Sequence, residues 1–119
     1  MFYKGVAYLE ADFHFGDDYM ERVAALLKNN RVVIYRNHAF LLAAQSVAEA
    51  FLLAYSLNQA CELQLKILAS GDPVVMPSPE ECERHYASYY GNPNAVYDGS
   101  AEWPGLLRSL DRVDPTFRE

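Results

Sequence analysis

Residues 31–66, RVVIYRNHAFLLAAQSVAEAFLLAYSLNQACELQLK, hold two short apolar runs followed by a long periodic one, and that order decides the fold. RVVIY (31–35) follows the helix-stopping pair Asn29-Asn30, and its apolar residues are too continuous to face water on either side, so it reads as a central strand. The turn Arg36-Asn37-His38-Ala39 leads into a second apolar run at positions 40–44, which predicts an antiparallel hairpin. Ser46 and Glu49 then make an S-x-x-E capping box, after which Val47, Phe51, Ala54, Leu57, Cys61, Leu65 and Leu68 recur at steps of three and four until Gly71. One long helix results. A second apolar line (Ala50, Leu53, Ala60, Leu63, Ile67) leaves it only a narrow polar face, so it needs cover on two sides, from a sheet and from a neighbouring helix or subunit.

Upstream, positions 2–9 are aromatic and β-branched and read as a strand, although Gly5 weakens it. Asp17 and Asp18 offer an N-cap, Glu21 a box residue, and Tyr19, Val23, Leu26 and Leu27 one apolar stripe, which predicts a helix over 18–28. Downstream, DPVVMPSP (72–79) must be an extended linker. Ser78, Pro79 and Glu81 then start a helix with Cys82, Tyr86 and Tyr89 on one face. GNPNAVYDGS (91–100) is loop by composition, and Trp103, Leu106, Leu107, Leu110 and Val113 mark a last amphipathic helix closed by Asp114-Pro115. The elements sum to a layered α/β fold, a small and mainly antiparallel sheet flanked by helices, in a single domain over 1–119.

Composition narrows the function. The 119 residues are 51% hydrophobic and 22% charged, which excludes a disordered chain, and no stretch approaches the ~18 apolar residues of a membrane span. A formal charge of -6 supplies no cationic field for nucleic acid or an anionic membrane, and so favours a small-molecule or protein partner. Cys61 and Cys82 lack CxxC spacing and are expected to be buried, reduced thiols. The start, with Glu10 and Asp12, is unlike a secretory signal, so a cytoplasmic protein is expected. A domain this short buries only about two thirds of its unfolded surface. With nine Tyr and six Phe, apolar surface should remain for a homodimer or homotetramer.

Residues 31–66 resemble the strand–turn–strand–helix core of the class II aldolase and adducin family. The matching residues are Arg36, Asn37 and His38 of an R-N-H-G-like turn, then Ser46, Val47, Glu49, Ala50 and Phe51, then Ala60, Cys61 and Gln64. FYKGVAYLEADF (2–13) is similar to the family's preceding strand, and WPGLLRSLDRVDPTFRE (103–119) to the tail of one branch. The resemblance implies the family fold and a carbon–carbon lyase or enolisation activity on a small hydroxy-carbonyl or keto acid. It also implies that His38 stands where relatives complete a divalent metal site with an H-x-H pair. That pair, and the half of the domain that carries it, are not among these residues, and roughly half of a family domain is covered. Zinc in a catalytic site usually takes three protein ligands, so a metal at His38 would need ligands from elsewhere, and no cofactor is otherwise expected. The residue after His38 is Ala39 where the family has glycine, which argues against a positive φ there.

Two other groups are candidates for chemistry. Glu10, Asp12 and His14 alternate with Ala11, Phe13 and Phe15, so an extended segment would aim all three polar groups to one side for acid and base work. The alternative is a solvated polar face. Tyr86 and Tyr90, with Tyr89 and Tyr97, crowd a segment that in the family lies towards a neighbouring subunit, where a tyrosine donates a proton. Packing in an interface is the alternative for them. His85, one turn beyond Glu81, suits a surface pair, and the three histidines together form no metal motif. A noncatalytic assembly module, as the adducin branch illustrates, and one subunit of a divided aldolase are the competing functions.

Overall fold

The computed structural model describes residues 1–10, 16–90 and 97–118. The strands are β1 (Val6–Leu9), β2 (Val32–Tyr35) and β3 (Ala39–Leu42). The helices are α1 (Asp17–Leu27), α2 (Val47–Ser70), α3 (Pro79–Tyr90) and α4 (Trp103–Val113), followed by a 3-10 turn at Pro115–Arg118. No helix among the described residues is long and apolar enough to cross a membrane.

The layered α/β fold forms as the sequence predicts, with β2 in the centre of the order β1-β2-β3. The sheet is mixed rather than mainly antiparallel. β2 and β3 are an antiparallel hairpin with Tyr35 opposite Ala39, whereas β1 runs parallel to β2 with Leu9 beside Tyr35. The reason is α1: a strand joined to the next through a helix packed on the sheet returns in the same direction.

Alternation along the strands sends Ala7, Leu9, Val33, Tyr35 and Leu41 to one face, where they meet Tyr19, Val23, Leu26 and Leu27 of α1. The rings of Tyr19 and Tyr35 close this core edge to face at 6.1 Å. Val32 points the other way and is fully buried, as are Leu53 and Leu57 of α2, which touches β3. Burying each such side chain contributes about 1.5–3 kcal/mol.

The helix ends follow the local chemistry. Ser46 Oγ accepts from the Glu49 N–H at 3.1 Å, and Gly71 ends α2 at φ 76°. Ser78 and Glu81 bond reciprocally, Ser78 Oγ accepting at 3.2 Å and Glu81 Oε2 accepting at 2.9 Å. Donation from Ser78, chiefly from its backbone N–H, holds the Glu81 carboxyl below its ordinary range. α1 departs from expectation: its cap is Gly16, with no side-chain capping bond, and Asp18 lies inside the first turn.

Cover on two sides of α2 is found only along its first half. Every residue from 58 to 81 is exposed, including Leu63, Leu65 and Leu68. Cys61 is therefore exposed and Cys82 partly so, which corrects the expectation of buried thiols; both are free. The radius of gyration is 17.2 Å, against about 14 Å for a compact domain of this length.

Candidate functional site

The β2–β3 turn presents the residues on which the sequence reading rests. The His38 N–H donates to the Tyr35 carbonyl at 3.1 Å, and Asn37 takes φ 58°. A positive φ at the third position of a turn is where Asn or Gly is favoured, so Asn37 rather than Ala39 supplies the left-handed residue. Tyr35 is buried, and its ring meets the His38 ring edge to face at 5.3 Å. His38 itself is exposed at the tip.

The parallel pairing carries β1 to the same place. The Arg36 N–H donates to the Leu9 carbonyl at 3.0 Å, and Arg36 Nε lies 3.0 Å from Glu10 Oε1. The Arg36 guanidinium also stands 5.0 Å from the centre of the Tyr8 ring, a cation–π contact. His38 and Glu10 thus occupy one end of the sheet, with Arg36 between their strands. The sequence marks Arg36 only as part of the turn motif, with no chemical role, and does not mark Tyr8. The signal was the direction of β1, which local periodicity does not carry. Asp12 and His14 lie outside the described residues.

Tyr86 and Tyr90 are brought together, but elsewhere. Their ring centres are 4.8 Å apart on α3, and Tyr86 meets Tyr3 edge to face at 6.1 Å. The Tyr90 hydroxyl donates to the Met1 carbonyl at 2.9 Å and accepts from Arg31 Nη1 at 3.5 Å. Arg31 precedes β2 and His38 follows it, and four strand residues span about 13 Å. Within one chain the tyrosines and His38 are therefore at opposite ends of the sheet.

Arg31 has a second partner, Glu49, with which it forms an ion pair. Glu49 is buried, and its other oxygen accepts from the Gln45 N–H at 2.6 Å. The capping-box glutamate thus also neutralises Arg31 and ties β2 to the start of α2. Lys4 and Glu83 pair across to α3, and Lys4 is raised above its usual range chiefly by that hydrogen bond.

No group of three or more His, Cys, Asp or Glu among the described residues is placed to hold a metal ion. His38 is one imidazole, and the nearby Glu10 carboxylate is engaged by Arg36. The described residues do not by themselves fit the metal implied by the resemblance.

The model of the class II aldolase and adducin N-terminal domain matches residues 1–65, which include the whole sheet and most of α2. A protein of Caulobacter vibrioides, provisionally named an aldolase class 2 protein, is 32% identical over 99 residues, 83% of this chain and 38% of its own length. A similarly named protein of Pseudomonas aeruginosa is 30% identical over 101 residues, 82% of this chain and 39% of its own length. Alpha-adducin of Rattus norvegicus is 32% identical over 94 residues, 71% of this chain and 13% of its own length. The matched stretch thus spans less than two fifths of each of these relatives. No solved structure matches at significance. With a family model covering more than half of its residues, the chain belongs to the class II aldolase and adducin family.

Proposed function

We propose that the chain acts on a small hydroxy-carbonyl or keto acid, by carbon–carbon lyase or enolisation chemistry, at a subunit interface built around the β2–β3 turn. The observation that carries this is the exposed His38 at the hairpin tip, two residues from the Arg36 that pairs with Glu10, within the segment matched by the family model. An imidazole suits removal and return of a proton next to a carbonyl near neutral pH. A guanidinium matches a substrate carboxylate or a developing oxyanion in two-point fashion. A second copy would supply what one chain does not. Tyr86 or Tyr90 of a neighbour could donate a proton there, and the exposed Leu63, Leu65 and Leu68 provide apolar surface for a homodimer or homotetramer.

A noncatalytic assembly module is the second reading. It is favoured by the uncovered half of α2, which offers surface without chemistry.

Elemental analysis of protein purified under mild conditions, with sedimentation and a lyase screen over small hydroxy-carbonyl acids, tests both. Turnover without stoichiometric metal, reduced about a hundredfold or more by His38→Ala, is the expected result. Stoichiometric zinc, manganese or iron would sink the metal-free version and point to ligands beyond the described residues. An oligomer with no turnover, unchanged by His38→Ala, would establish the assembly module instead.

A further inference from the structure

Between α2 and α4 lies a pocket of about 320 Å³, away from the β2–β3 turn. Phe51 and Tyr55 line it from α2, and Trp103 and Leu106 from α4. The Phe51 ring is 5.7 Å from Trp103 at 57° and 6.2 Å from Tyr55, nearly parallel to it. Three aromatic rings therefore border one small space, and they are not used up in core packing: Phe51 is 42% exposed and Tyr55 57%.

Glu102 completes the lining, and among the described residues no Lys, Arg or His side chain contributes to it. Although Glu102 is the cap residue of α4, its side chain makes no capping bond. Among the described residues its carboxylate has no ion-pair partner. The pocket wall is tightly built. Gly99 has φ 78°, and a Cβ there would run into the Ala48 carbonyl oxygen.

We propose that this pocket binds an organic cation of the trimethylammonium class. Such a group has an apolar surface and a full charge but no N–H, so it cannot be recognised by hydrogen bonds. Ring faces and a nearby unpaired carboxylate are the chemistry that recognises it. A headgroup of this class is smaller than the pocket, which leaves room for a short substituent. The net charge of -6 raises the local concentration of cations further. Nothing here depends on His38, so failure would leave the carbonyl chemistry proposed above unaffected.

Trp103 is the only tryptophan of the chain, so its fluorescence reports on this pocket alone. The full chain is titrated at constant ionic strength with choline chloride and, separately, with 3,3-dimethylbutan-1-ol, which has the same shape without the charge. The expected result is a saturable response to choline, with the neutral alcohol about tenfold weaker. Glu102→Gln and Phe51→Leu should each weaken choline about three- to tenfold, with the fold checked by circular dichroism. Glu102→Gln is an exposed, near-isosteric change and carries the test even if Phe51→Leu does not fold. Absence of a saturable choline response, equal binding of the alcohol, or unchanged affinity in Glu102→Gln would overturn the proposal.

Discussion

The two halves of α2 have the same apolar spacing and opposite surroundings. Leu53 and Leu57 are buried, at 1% and 4% exposed, whereas Leu65 and Leu68 further along are 67% and 57% exposed. Periodicity therefore states which side chains need cover without stating what provides it. The first half touches β3, apart from the core that β1, α1, β2 and β3 form with one another, and the second half is exposed.

Alanine substitutions at the two leucines break or sharpen that contrast most directly. Leu53→Ala should cost about 3 kcal/mol, read from urea unfolding, as a large-to-small change at a fully buried site. Leu65→Ala should stay within about 0.5 kcal/mol if the chain unfolds as an isolated unit. A Leu65→Ala cost close to that of Leu53→Ala, growing with protein concentration, would show that the second half is covered by another copy in solution.

Arg31→Met leaves Glu49 buried without its cation and should destabilise by about 3 kcal/mol. Adding Glu49→Leu should restore much of that loss. Without restoration, the ion pair is not the main tie between β2 and α2. A smaller effect, about 1–3 kcal/mol, is expected for Gly99→Ala, since both the left-handed backbone and the Ala48 carbonyl oppose a side chain there.

The smallest effect belongs to the projecting part. Glu81 is held below its ordinary range by Ser78, so its contribution to α3 is fully present above the unfolded carboxyl value, about 4.3, and is lost as the pH falls through the lower folded one. Helicity from α3 should thus fade as the pH falls through the carboxyl range, and Glu81→Gln should remove that dependence, whereas Ser78→Ala keeps the backbone N–H to Glu81 and should only lessen it while losing about 1 kcal/mol of helix cap. An acid titration by circular dichroism that is identical in wild type and Glu81→Gln would contradict this.

Features legible in the sequence were those fixed by neighbours in the chain. Ser46 and Gly71 bound α2, Ser78 and Pro79 start α3, and Asp114 closes α4, because caps and stops act within one turn. The hairpin at Arg36-Asn37-His38 was legible for the same reason. What escaped was set across long separations. The direction of β1, the pairing of Arg36 with Glu10, the separation of Tyr90 from His38, and the exposure of Cys61 all depend on which elements meet. The α1 cap shows a local competition missed: Gly16 takes the extended cap conformation, and Asp18 pairs instead with Arg22 at 3.7 Å.

The three-stranded sheet has a consequence of its own. With β2 in the middle, β1 and β3 each turn one row of backbone N–H and C=O groups away from the sheet. Such margins accept a further strand through main-chain bonds alone, with little demand on its side chains. Growth of the sheet would then be governed by how concentrated the incoming strand is, so tethering such a strand to this chain would favour its addition by mass action.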